Sequence, residues 1–283
     1  MKPKYLICIV SLAIASSVEA SVLDQDGNLL GKPSYTFTGK RVAATKGVIT
    51  GTQLETATPT RAATTDITVI DGCELTVAGG SLDSVTVKEG SADLTGGTVT
   101  SLELLGSSKG FLNGGAVKTS ANVRGNSTFT VNTGSISSLA AFDSATLNIN
   151  GGTFGSIVGV SKSILNFNDG LVTEGIKFTG ESRGFFYGGI AGDLSISGDA
   201  QFDIFALSGI GKVTSTSSQA LNIYGSDLKF EGENLTGKDA SGKSFNVAYV
   251  GDRELVKFET VPEPSSALLL GLAGAMTIVR RRR

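Results

Sequence analysis

The chain has no histidine and no tryptophan, only five prolines and two cysteines, and charged residues make up 18% of its 283 positions. Without histidine the commonest general base and metal ligand is missing, and no serine can join a Ser-His-Asp triad. Cys8 lies in an N-terminal apolar run expected to be lost on processing, and Ile7 before it is not the small residue that precedes a lipidated cysteine. Cys73 then stands alone, a small residue packed in a turn, and no intramolecular disulfide is expected. Positive charge is scarce in the body as well. Between residues 21 and 261 there are 18 basic and 24 acidic residues, a net charge of −6. Phosphate binding needs a basic patch, so a nucleic-acid partner is not expected. No stretch of the body shows a long 3.6-residue period.

What is present is glycine, 38 residues of it, with Ser, Thr and Asn among many Val and Ile. Chains of this polarity that stay disordered are poor in β-branched residues. This one is rich in them and should fold as β structure.

The two ends read as addresses. Residues 1–20 carry Lys2 and Lys4, then an apolar stretch over 6–15, then Val18-Glu19-Ala20 with small residues at the −3 and −1 positions of a cleavage site. That is the pattern of a secretory signal, cut after Ala20 by signal peptidase. At the other end Pro262, Glu263 and Pro264 precede an apolar stretch over 266–279 and the run Arg280, Arg281, Arg282 and Arg283. The apolar stretch reads as a transmembrane helix, short against the roughly 20 residues of a stable span. The arginines hold that end on the cytoplasmic side, and the two prolines keep the preceding peptide extended.

This tail resembles the PEP-CTERM sorting domain of Gram-negative, exopolysaccharide-producing bacteria. The resemblance implies that Pro262, Glu263, Pro264 and the four arginines form a sorting signal read by an exosortase. It implies an inner-membrane-tethered precursor that ends at the cell surface or outside the cell; exopolysaccharide, or other copies of the chain, is a separate expectation, as a contact for the long regular faces of the body. Bodies attached to this tag are diverse, so the tag leaves the role of residues 21–260 open.

The body repeats. Doublets recur at Gly79-Gly80, Gly96-Gly97, Gly114-Gly115, Thr133-Gly134, Gly151-Gly152, Asp169-Gly170, Gly188-Gly189, Ser208-Gly209 and Gly225-Ser226. Their spacing is 17 to 20 residues, about 18 on average. The residue three before each second member is always apolar, from Val77 through Phe186 to Ala206 and Ile223. The residue two after is apolar in eight of nine, with Gly211 the exception. Between them apolar residues alternate, as in Leu75-Thr76-Val77 and Leu147-Asn148-Ile149, which is strand periodicity. A unit of about 18 residues cannot bury its own apolar face, but stacked units can. Residues 67–231 are therefore expected to form an all-β solenoid, a β-helix of about nine coils, right-handed, roughly 40–45 Å long at the strand spacing. Residues 21–66 are expected to be an irregular N-terminal cap, with a loop over 56–65. Residues 232–260 are expected to be a C-terminal cap, with 245–249 and 254–258 forming a hairpin around Gly251-Asp252. The glycine-rich, polar-decorated units also resemble autotransporter passenger regions in style.

A search for chemistry yields little, and no cofactor is expected. Asp193, Asp199 and Asp203 with Arg183 are the one constellation that fits a calcium-assisted, lyase-like attack on a uronic acid. Enzymes of that kind carry long loops that build a cleft, and the short spacing of the doublets leaves no room for them. The calcium-binding nonapeptide pattern and a strand–GxGxxG–helix context are both absent. Lys109-Gly110-Phe111 and Arg183-Gly184-Phe185 occupy the same repeat position, a basic-aromatic pairing that would suit contact with a glycan and is better explained by internal duplication. The expectation is an exported, non-catalytic structural or adhesive protein of the cell surface or matrix. The competing expectation is an exported polysaccharide-active enzyme on the same fold.

Overall fold

A computed structural model describes residues 34–37, 46–50, 53–57, 66–69, 72, 74–79 and 81–260. Eight regular coils run from Glu74 to Ser217. Each has a four-residue strand, a tight turn, and a second strand of seven to nine residues. The first coil is Glu74–Val77 with Ser81–Lys88, and the eighth is Gln201–Ile204 with Ile210–Ser217. Short strands pair in parallel with the short strands of neighbouring coils in unbroken register, and long with long in a register that shifts within the third and sixth coils. At about 4.8 Å per strand the eight coils extend roughly 38 Å.

The alternation of the sequence decides which side chains face in. In Thr98–Leu105 the residues Val99, Leu102 and Leu104 are buried, while Thr100 and Ser101 face out in succession. Two consecutive outward residues break the period of two and bend the long strand. Each coil thus sends about five apolar side chains inward, such as Ala92, Leu94, Val99, Leu102 and Leu104 of the second coil. These stack into continuous columns, because parallel in-register pairing places like positions above one another. Phe167 and Phe186 occupy one such column, their rings stacked at 4.9 Å and 4°.

From Gly96-Gly97 to Ser208-Gly209 the doublets sit at the turns between short and long strands. Gly115 has φ 75°, and a Cβ there would also sit 2.5 Å from the carbonyl oxygen of Gly97 one coil away. Backbone conformation and close stacking both demand glycine. A second corner, between coils, holds a column of small buried residues that includes Ser108, Ser127, Ala145, Ser163, Ser182 and Ala200. Ser108 and Ser127 hydroxyls are hydrogen bonded at 3.1 Å.

The structure corrects four expectations. The regular coils number eight, because the ninth doublet is not a turn of the solenoid. Gly225 and Ser226 lie within the strand Leu221–Glu231, which leaves the stack after Tyr224 and pairs antiparallel with Asn234–Asp239. In the eighth coil the stacked inward residues are Ile204 and Ile210 rather than Ala206 and Gly211. A 3-10 turn, Leu207–Gly209, lengthens that corner and shifts the register of the motif. Residues 245–249 and 254–258 do not pair with each other. Ser244–Gly251 runs antiparallel to Asn234–Asp239 and parallel to Ile210–Ser217, while Val256–Glu259 pairs in parallel with residues 221–224. Stacking on the last coil satisfies more backbone groups than a free hairpin would. Finally, the N-terminal region contributes strands. Ser34–Phe37 pairs in parallel with Glu74–Val77, and Lys46–Thr50 forms a hairpin with Gln53–Ala57, which takes in two residues of the expected loop.

Among the described residues no helix is long and apolar enough to cross a membrane. The expected transmembrane segment over 266–279, the signal segment ending at Ala20, and both cysteines lie outside the described residues.

Candidate functional site

The sorting-signal residues Pro262, Glu263, Pro264, Arg280, Arg281, Arg282 and Arg283 also lie outside the described residues. The described chain ends close to them. Its last strand, Val256–Glu259, finishes three residues before Pro262. The cap that carries this strand is pinned to the eighth coil by Asp239. That buried carboxylate accepts hydrogen bonds from the Ser208 hydroxyl at 2.5 Å, the Ser241 hydroxyl at 2.6 Å, and the backbone N–H groups of Ser208, Ser241 and Lys243. Burial opposes its ionisation, and the hydrogen bonds from Ser208, Ser241 and Lys243 overcome that cost, holding the carboxyl below its usual range.

The fold brings together only two of the four residues of the lyase-like constellation. Arg183 and Asp199 line one open depression of about 620 Å³, together with Lys162, Glu181, Gln201 and Gln219. Asp199 accepts a hydrogen bond from the Ser218 hydroxyl, and Lys162 pairs with Glu181 at 3.4 Å on the exposed surface. Asp193 stands on the long-strand sheet, in register with Gly175 and Lys212. Asp203 stands on the short-strand sheet and accepts from Asn222 at 2.6 Å. Among the described residues no three His, Cys, Asp or Glu side chains gather as a metal-ligand set.

The repeated Lys-Gly-Phe and Arg-Gly-Phe triplets have a packing cause. A Cβ on Gly110 would lie 2.7 Å from the Phe129 ring, and one on Gly184 would lie 2.0 Å from the Phe202 ring. Each glycine makes room for a phenylalanine on the following coil. The flanking residues of each triplet face outward as a consequence of alternation.

Sequence reasoning missed a second feature of the short-strand sheet. One outward column, at the residue after each short strand, holds Asn113, Asn132, Asn150 and Asn168. Each side-chain amide donates to the preceding rung at 2.7–2.8 Å, and Asn113 donates to Asp93. In the next three rungs the same column holds Tyr187, Phe205 and Tyr224. Their rings stack at 4.7 Å and 13°, then at 4.2 Å and 10°. Phe185 lies beside Tyr187 at 6.3 Å with nearly parallel rings. Tyr187 is 47% exposed, and Ile190 (58%) and Leu171 (39%), which are register partners, flank it across the glycine turn. Burial, then the charges of Asp203 and Glu259, raise the Tyr224 pKa and keep its phenol protonated. The signal was legible in principle: extending the repeat alignment one position past each short strand would have shown four asparagines followed by three aromatics.

Residues 260–283 match the family profile described as the PEP-CTERM protein-sorting motif. The match covers the expected Pro-Glu-Pro, apolar and arginine elements, and it marks an exported protein sorted through an exosortase. No curated protein and no solved structure matches the chain at a significant level. The likeness to autotransporter passengers therefore rests on repeat style alone.

Proposed function

We propose that this is a non-catalytic structural or adhesive protein of the cell surface or extracellular matrix, delivered there through its C-terminal sorting motif. Signal peptidase removes residues 1–20, the apolar tail holds the precursor in the inner membrane, and an exosortase acts at the Pro262-Glu263-Pro264 segment. The observation that carries the delivery route is the motif match over 260–283. The observation that supports a structural role for the body is the uninterrupted stack of eight coils with short corners. A rigid solenoid of this kind presents long regular faces whose side chains repeat at strand spacing.

The test is the intact mass of the protein recovered from its native host. A mass ending between residues 262 and 265 supports processing by an exosortase. A mass running to Arg283 overturns it and makes the tail a permanent anchor.

A further inference from the structure

The outward face of the short-strand sheet changes character along the solenoid. In the fourth to sixth coils it carries Thr130, Asn148 and Asn166, with Asn132, Asn150 and Asn168 beside them. In the next rungs, the same positions carry Phe185, Asp203 and Asn222, with Tyr187, Phe205 and Tyr224 beside them. The core does not require these outward aromatics, because Phe186, Ile204 and Ile223 already fill the inward column at those rungs. Five large hydrophobic side chains are exposed among the described residues; Tyr187 is on this face, and Leu171 and Ile190 begin the long strands across the adjoining glycine turn. A concentrated apolar patch within a polar surface marks a contact site.

We propose that this face, centred on Tyr187 and Arg183, binds an uncharged, polyhydroxylated polysaccharide. Phe205 covers one face of the Tyr187 ring, and the neighbouring rung on the other side carries Asn168 rather than an aromatic. Asn168 is smaller than the ring and Tyr187 stays 47% exposed, so part of the aromatic surface is open to the C–H face of a sugar ring, next to side-chain amides that both donate and accept. Arg183 and the Tyr224 phenol donate, Asp203 accepts, and Gln201 does either. A sugar hydroxyl is itself donor and acceptor, so it can use both kinds of group. The charge pattern selects an uncharged polymer. Arg183 shares its depression with Asp199, and the Lys162 charge is paired with Glu181. Together with the net charge of −6 between residues 21 and 261, this repels polyanions. The inference refines the surface role proposed above and is independent of how the tail is processed.

The test is affinity electrophoresis of the full chain in native gels containing hydroxyethylcellulose, dextran or alginate. Retardation by at least one of the two neutral polymers is expected, and it should be little changed by added salt. Tyr187→Ala and Arg183→Ala should each weaken it about tenfold, equivalent to about 1.4 kcal/mol. Tyr187→Phe should retain most of it, and Thr130→Ala on the same face should leave it unchanged. Thermal melts confirm that each variant is folded. Retardation by alginate alone, retardation by none of the three, or full retardation of the folded Tyr187→Ala/Arg183→Ala double variant would overturn the inference. So would concentration-dependent self-association abolished by Tyr187→Ala, because that outcome makes a second copy of the chain the occupant. The C-terminal mass is read separately, so failure here leaves the sorting route standing and the reverse also holds.

Discussion

Gly184 and Phe202 are register partners on successive coils, and a Cβ added to the glycine would lie 2.0 Å from the phenylalanine ring. The missing side chain of one coil is the space filled by the next. Gly110 and Phe129 repeat the relationship earlier in the stack. Gly184→Ala should therefore destabilise the solenoid by about 1–3 kcal/mol, the usual cost of overpacking. Adding Phe202→Leu to that variant should recover part of the loss. Denaturant unfolding of the two variants and the parent measures both effects, and a Gly184→Ala protein as stable as the parent would refute the packing account.

Ser163 tests a different balance. Its hydroxyl is fully buried and has no hydrogen-bond partner. The same corner column already accepts alanine at Ala145 and Ala200. Burying an unpaired hydroxyl costs free energy, so Ser163→Ala should be neutral or stabilising by up to about 1 kcal/mol. Ser127→Ala, which removes the hydrogen-bond partner of the Ser108 hydroxyl, should instead destabilise by about 1 kcal/mol. A larger loss from Ser163→Ala than from Ser127→Ala would show that the column is packed differently.

The C-terminal cap should respond to acid through Asp239. Its folded pKa is lowered, so its contribution is present above the unfolded value of about 3.9 and is lost as pH falls through the folded value. Asp239→Ala should cost about 1.5–3 kcal/mol near neutral pH, the scale of hydrogen bonds to a charged group. The variant should also lose much of the parent's decline in stability below about pH 4. Hydrogen exchange of the amides in residues 234–251 across that range reports the cap directly. Parallel declines in parent and variant would remove Asp239 as the pin.

The asparagine ladder predicts a chain effect. Asn150 accepts from Asn168 and donates to Asn132. Asn150→Ala breaks both contacts, but the ladder is exposed and water replaces them. The expected loss is about 1 kcal/mol or less. Replacing Asn132 and Asn150 together should cost less than the sum of the single replacements, because they share one hydrogen bond. A double-mutant cycle on melting midpoints measures the coupling, and strict additivity would count against the ladder.

Much of this fold is legible locally. Alternation in Leu75-Thr76-Val77 specifies a strand whatever its neighbours, and a glycine at a position like Gly115 is fixed by its own φ as well as by its close stacking. The repeat near 18 residues therefore gave the solenoid. It also gave the register wherever the spacing held. It failed at Ala206 and Gly211, where an added 3-10 turn moved Ile204 and Ile210 into the columns. It failed again at Gly225-Ser226, where the same doublet chemistry sits inside an antiparallel excursion. A glycine pair reports that the chain bends or packs closely, not which strand it will meet next.

The sequence by itself determined the strand class, most corner positions and the C-terminal sorting motif, because period, backbone conformation and a contiguous tag are all properties of neighbouring residues. Only the tertiary structure decided that Gly184 accommodates Phe202, that Tyr187, Phe205 and Tyr224 form one stacked column, and that Asp193, Asp199 and Asp203 are held apart. It also decided that the cap is a meander locked through Asp239. Each of these depends on which residue lies one coil away, about 18 positions along the chain, and that distance is set by the length of every intervening corner.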